Sequence, residues 1–158
     1  METTPTFEFH VDSGADLGEE LLVGFASPAM ASLIGVDHLA TERDAEPVGH
    51  IETSGLPTIT PFTDGVPRHP IRIYTSATGP TLVVCELFVP LEIGDRFADA
   101  LAGFATEHGI EEITVFYGIP YPHGPEEHAV FSVSTVTYPH AGFDEADIEP
   151  LAGGFLDG

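Results

Sequence analysis

The sequence predicts an α/β fold of three layers, a largely parallel sheet flanked by helices, on three observations. Extended apolar runs alternate with two stretches of helical periodicity, at residues 28–43 and 91–108. One run, ELLVGFA at residues 20–26, is apolar on consecutive positions, as in a strand covered on both faces. The 158 residues contain no internal repeat and no dividing linker, so a single α/β domain spanning 1–158 is expected.

The elements follow in chain order. In TFEFHV, Phe7, Phe9 and Val11 alternate with Glu8 and His10, the pattern of an edge strand with one buried face. After the run at 20–26, Ser27 stands where an N-cap belongs and Pro28 suits a first helical turn, where its missing N–H costs nothing. The helix that follows, from about Pro28 to Arg43, opens with AMASLIG, apolar on almost every side. It should therefore be buried against the sheet and against a second surface, such as another subunit.

EPVGHIETS reads as a further strand, and GLPTITPFTDGVPRHP as a loop or short edge strands. IRIYTSA and TLVVCELFV flank Thr78-Gly79-Pro80 as a hairpin with an inward second strand, and hairpins are expected to extend one sheet edge. In LEIGDRFADALAGFATEHG, Phe97, Leu101, Phe104 and Ala105 share one helical face. Gly109 is a natural C′ residue, and Ile110 supplies the apolar contact of a Schellman end. EEITVFYGIP and AVFSVSTVTYP read as strands, and FDEADIEPLAGGFLDG as a short terminal helix.

Charge excludes several classes of function. Twenty-six acidic residues stand against four arginines, with no lysine, for a net charge of −22. Arg43, Arg68, Arg72 and Arg96 are too few and too scattered to neutralise phosphates, so neither nucleic acid nor an anionic membrane is an expected partner. The acids run through the whole chain, twelve before Gly79 and fourteen after it, rather than forming a tail. Such a surface fits a salt-rich cytosol. METTPTFEFH has neither a basic region nor a long apolar stretch, and no run has the length of a transmembrane helix, so the cytoplasm is the expected location. Cys85, the single cysteine, is expected in the core.

The motif search points away from catalysis. Gly24 is the only glycine of the stretch before the helix, so the stretch has neither the G-x-G-x-x-G of dinucleotide sites nor the G-K-[ST] of a P-loop. GFASPA is not the G-x-S-x-G turn of a hydrolase. HGPEEH, with His123, Glu126, Glu127 and His128, is one residue too long for an inverzincin motif, and Gly124-Pro125 interrupts any helix there. His10, His38, His50, His69, His108 and His140 are dispersed, without ligand spacing. No catalytic, cofactor or metal residue is therefore nominated. Open α/β sheets place ligands beyond the carboxyl ends of their strands. That rim should include Ser27, Met30, Pro90, Leu91, Gly118, Ile119 and Pro120, a mostly apolar set suited to contact rather than reaction.

LLVGFASPAMASLIGVDHLATERDAEPVGHIETSGLP resembles the proteasome assembly chaperone family of archaea and bacteria. There a VGF strand leads into a helix with small residues and a DHL-like end, followed by a strand carrying VG.I. FADALAGFATEHGIEEITVFYGIPYPH is similar to that family's later helix, turn, strand and glycine-proline loop. The likeness covers about residues 7 to 140. It implies a chain path akin to nucleoside phosphorylases and peptidyl-tRNA hydrolases without their catalytic residues, homo-oligomers, and for some members help in assembling proteasome α-subunits. Those members carry a C-terminal hydrophobic-Tyr-X tail, whereas this chain ends GGFLDG and is shorter than is usual in the family. Together with the acidity, the resemblance implies a haloarchaeal source.

The expectation is therefore a non-enzymatic oligomer, with a small-molecule hydrolase or transferase acting at the strand-end rim as the rival. At molar salt the screening length falls to about 3 Å, which removes most self-repulsion between exposed carboxylates. The circular dichroism of the folded chain should weaken when molar KCl is replaced by dilute buffer. An unchanged spectrum refutes the salt-adapted reading.

Overall fold

The alternation in β1 (Thr6–Val11) and the continuous run in β2 (Glu20–Phe25) reflect two different surroundings within one sheet. The computed structural model describes residues 4–26, 30–119, 122, 124–126, 128–135, 143 and 145–156. The chain forms two compact units, Met1–Ile119 and Pro120–Asp157.

In the first unit, α1 (Ala31–Glu42) follows β2, then β3 (Glu46–Ser54) and a small hairpin of β4 (Phe62–Thr63) and β5 (Val66–Pro67). β6 (Ile71–Thr75), β7 (Thr81–Cys85), a 3₁₀ turn (Leu91–Ile93), α2 (Gly94–His108) and β8 (Glu112–Val115) complete it. The six-stranded sheet has the order β1-β3-β6-β7-β2-β8. β2 lies parallel to both β7 and β8. The pairings β1–β3, β3–β6 and β6–β7 are antiparallel.

The fold is thus a mixed α/β layer structure, and the expected largely parallel sheet is corrected to one with more antiparallel than parallel pairings. The reason lies in the hairpin around Gly79 (φ 98°), which forces β6 to run against β7. β6 does not extend an edge; it sits in the middle, between β3 and β7, and so creates two antiparallel pairings at once.

The two helices cover opposite faces. On one side Phe97, Leu101, Phe104 and Ala105 of α2 close over Leu21, Val23, Ile51, Ile71, Ile73, Val83 and Cys85. Phe104 stacks on Phe9 at 4.4 Å and Phe97 meets Phe7 at 4.8 Å, so α2 also covers β1. Phe97 and Phe104, both buried, each contribute about 1.5–3 kcal/mol. α2 ends at Gly109 (φ 72°), and the Ile110 N–H donates to the Ala105 carbonyl at 2.9 Å, closing the helix as its sequence predicts.

On the other side Leu33, Val36 and Ala40 of α1 pack on Leu22, Leu82 and Val84. The helix begins at Ala31 rather than Pro28, with Met30 at the N-cap in the left-handed region (φ 58°); the Ser27 cap and the Pro28 first turn lie outside the described residues. Ser32 is buried, and its hydroxyl accepts from the Phe25 N–H at 3.2 Å, fastening the start of α1 to the end of β2. Ile34, expected to be covered, stands 62% exposed.

In the second unit, residues 129–135 of the expected AVFSVSTVTYP strand form only an isolated parallel bridge, Ser132 to Pro150. Residues 136–139 of that stretch lie outside the described ones. The bridge is held by Ser132 N–H to Glu149 O at 3.0 Å and Leu151 N–H to Ser132 O at 2.9 Å. Among the described residues of the expected terminal helix, the Ile148 N–H reaches back to Phe143 O and Asp147 takes φ 56°.

Two glycines explain themselves by close approach. A Cβ on Gly24 would stand 2.6 Å from the Ser32 carbonyl oxygen and 2.7 Å from Val36 Cβ, and one on Gly49 would collide with the His10 carbonyl across the β1–β3 pair. Gly24→Ala should therefore push α1 off the sheet and lower the unfolding free energy by about 1–3 kcal/mol. Chemical denaturation measures this, and a midpoint equal to that of the unsubstituted chain would show that the helix can retreat without loss.

Candidate functional site

Because β2, β7 and β8 run parallel, their carboxyl ends at Phe25, Cys85 and Val115 meet one edge of the sheet. The reversed β6 brings Arg68, His69 and Pro70 to the same edge, since Ile71 pairs with Cys85. There a cavity of about 390 Å³ is lined by Ala26, Met30, Leu33, Ile59, Pro61 and Phe62, with Arg68 and Glu86 as its charged wall. Met30, Ile59 and Phe62 are 49%, 46% and 73% exposed. Phe62 is carried by the β4–β5 hairpin, whose turn residues Asp64 (φ 52°) and Gly65 (φ 77°) both take the left-handed conformation that a two-residue hairpin demands.

Of the seven rim residues nominated from sequence, Met30 lines this cavity. Leu91 opens the 3₁₀ turn and is exposed, Pro90 before it is half-buried, and Gly118 and Ile119 follow β8, half-buried and exposed respectively. Ser27 and Pro120 lie outside the described residues, as do His123 and Glu127 of HGPEEH.

A second cavity, about 510 Å³, opens on the sheet face that α1 leaves uncovered, and its walls include Asp12, His50, Arg68, His69, Arg72 and Tyr74. Arg72 is the anchor here. Only 5% exposed, its guanidinium donates to Glu86 Oε2 at 3.0 Å and Oε1 at 3.2 Å, to the Tyr74 hydroxyl at 2.7 Å and to the His69 carbonyl at 2.8 Å. Burial alone would lower its pKa; the bonds to Glu86 and Tyr74 outweigh that and hold it above the ordinary arginine value. A buried arginine held bidentately and by four hydrogen bonds in all fixes the segments that carry its partners. Glu86 also faces Arg68 at 3.9 Å, so one carboxylate serves two arginines, and Arg68 lines both cavities.

Three histidines gather on this polar face, which corrects their reading as dispersed. His10 and His50 are directly paired across β1 and β3, with rings 4.9 Å apart, and His69 stacks on His50 at 3.6 Å. Glu8 and Glu52 are likewise paired across the same strands. His10 Nε2 lies 3.7 Å from Glu52 and 3.9 Å from Glu8, and His50 Nε2 lies 3.7 Å from Glu52. Burial, then the neighbouring His69 and His10, lower the His50 pKa below 6.5 against the opposing pull of Glu52. The sequence carried one signal for this cluster: Glu8-x-His10 and His50-x-Glu52 are mirror images, which antiparallel pairing superposes. Without the register, forty residues of separation conceal it.

Cys85 does not belong to either cavity's chemistry. It is buried, donates to the Leu87 carbonyl at 3.3 Å, and burial pushes its thiol up to about 12, which leaves no nucleophilic thiolate at neutral pH. Among the described residues no helix is long and apolar enough to cross a membrane.

Residues 21–155 match the PAC2 family. No curated protein matches the chain in sequence. Among solved structures, a protein of unknown function from Thermoplasma acidophilum is similar with a TM-score of 0.77 at 23% identity, over 94% of this chain and 60% of that one. Pyrococcus furiosus PbaA, an archaeal homolog of proteasome-assembly chaperone, is similar with a TM-score of 0.75 at 15% identity, over 95% and 65%. Pyrococcus furiosus PbaB, an archaeal proteasome activator, gives a TM-score of 0.70 at 15% identity, over 99% and 72%. These likenesses establish a shared fold, and the chain spans about 60% of the length of the Thermoplasma protein.

The lowered pKa of His50 has a definite sign. Between its folded value and 6.5 the unfolded chain binds a proton that the folded chain does not, so this residue costs stability as pH falls through that window and nothing above it. The stability of the unsubstituted chain relative to His50→Gln should therefore decrease between about pH 7.5 and about pH 5.5. Urea midpoints at both pH values check this, and a difference that stays constant or grows on acidification contradicts it.

Proposed function

The chain belongs to the PAC2 family, and from that premise we propose that it is a non-enzymatic, oligomeric protein that binds proteasome α-subunits through the apolar edge of its sheet. The observation that carries this reading is the convergence of Met30, Ile59 and Phe62 on one cavity while all three remain substantially exposed. Large apolar side chains grouped in this way mark contact surfaces in soluble proteins. The family and the likeness to PbaA and PbaB support the choice of partner.

Beside Met30, the proposed contact surface takes in Pro90, Leu91, Gly118 and Ile119 of the strand-end rim. Ile34, exposed on α1 one turn beyond Met30, fits a second contact, between copies of the chain. The full reading takes residues 1–158 as one functional domain with a phosphorylase-like chain path, in the salt-rich cytoplasm of a haloarchaeon. Its extreme acidity is the support for the last point.

Co-purification with proteasome α-subunits in high salt tests the proposal. The chain should retain the α-subunits, and a Met30→Asp/Phe62→Asp variant should weaken that retention about tenfold or more, as loss of buried apolar anchors does at protein interfaces. Absence of association for the unsubstituted chain would end the proteasome reading. A strictly monomeric species in light scattering would end the oligomeric one.

A further inference from the structure

The mirror-image pairs on β1 and β3 leave an arrangement that ordinary hydrogen bonding does not explain. Two imidazoles and two carboxylates come together there, yet the three close nitrogen–oxygen separations among them, at 3.7–3.9 Å, are all longer than a hydrogen bond. His10 Nε2 is shielded from solvent and has no hydrogen-bond partner. The Nε2 atoms of His10 and His50 and a Glu52 oxygen are all ligand atoms, and one atom from each of these three residues falls within 4.8 Å of the others. The surrounding chain carries a net charge of −22, which favours a cation at such a point.

We propose that His10, His50 and Glu52, with Glu8 as a fourth donor, form a binding site for a divalent transition-metal ion of the zinc class. A four-coordinate zinc with bonds of about 2.0–2.1 Å places neighbouring donors about 3.4 Å apart. The nitrogen–oxygen separations exceed this by only a few tenths of an ångström, and side-chain rotation would draw in the three donors, which already lie within 4.8 Å of one another. Imidazole nitrogen selects zinc, nickel, cobalt or copper over magnesium and calcium, which take oxygen ligands.

The backbone already supplies the rigidity such a site needs. His10 and His50 are locked opposite one another by strand pairing, and His69 lies flat on His50 at an interplanar angle of 13°, holding its ring. His69 is itself tied into the fold, because its carbonyl accepts from the buried Arg72. Gly49, next to His50, allows β1 to come close enough for the two rings to meet, since any side chain there would strike the His10 carbonyl. The ion would join β1, the sheet's edge strand, to β3 through side chains as well as backbone. Its role is therefore structural, with no reaction assigned to it.

Calorimetric titration of the tag-free full chain with zinc chloride, at neutral pH in molar KCl, tests the site. The expected result is one site per chain that binds more tightly than the diffuse carboxylate background. A His10→Gln/His50→Gln variant should lose at least about tenfold in affinity, since even removal of a residue that merely supports a ligand costs about 10–100-fold. His38→Gln, on the exposed face of α1, should bind like the unsubstituted chain. Cobalt(II) provides a second readout: the intense visible absorption of a four-coordinate cobalt ion should appear with the unsubstituted chain and vanish in the double variant, with both proteins folded by circular dichroism. Equal zinc affinity in the two proteins, or no site above background, overturns the proposal, and so does a cobalt spectrum unaffected by removal of both histidines.

Discussion

Two helices cannot cover both faces of six strands, and most of what distinguishes this protein follows from where the shortfall lands. α1 covers β2 and β7, while α2 closes the opposite face as far as β1. Among the described residues of the first unit, no helix lies on the α1 side of β1, β3 and β6. Those strands must then carry polar residues at every second position, and they do: Glu8 and His10, His50 and Glu52, Arg72 and Tyr74. The alternation that reads as an edge strand in the sequence, and the continuous apolar run of β2, are two answers to one question of coverage. A polar sheet face of this kind holds side chains in fixed register, which is why the histidines and carboxylates meet at all.

Much of this architecture was legible in the residues. Strand and helix identity followed from period, the closing of α2 from Gly109, and its buried face from Phe97, Leu101, Phe104 and Ala105. What could not be read was long-range order. The hairpin at Gly79 was visible, but nothing local says whether β6 lies at an edge or in the centre, and that one placement decides the balance of parallel and antiparallel pairing. The start of α1 shifted for a related reason: Met30 turns the chain in the left-handed region, a conformation that a propensity argument does not assign to methionine. The apolar rim was partly anticipated, at Met30, whereas Ile59 and Phe62 come from a loop folded back over the sheet edge. The histidine cluster needed the β1–β3 register, which is a tertiary fact.

Electrostatics binds these surfaces together. Of the four arginines, Arg43 donates to the Thr78 carbonyl at 2.9 Å, and Arg68 and Arg72 both face Glu86. The few cations are thus largely committed to the chain's own carbonyl and carboxylate groups. Repulsion between like surfaces then opposes the apolar contacts at Met30, Ile59 and Phe62 unless salt screens it. Ionic strength therefore bears on association as well as on folding, and a partner that approaches the apolar edge must tolerate or neutralise acidic flanks.

The burial of Cys85 has a consequence for the chain's coordination chemistry. A thiolate is the softest donor a protein can offer and would outcompete imidazole for any borderline ion within reach. By seating its single thiol at the buried end of β7, in the core that α2 covers and bonded to the Leu87 carbonyl, the fold removes that competitor and removes with it any route to disulfide cross-linking between copies. Among the described residues the outer surface then offers nitrogen and oxygen donors and the thioether of Met30, and no thiolate.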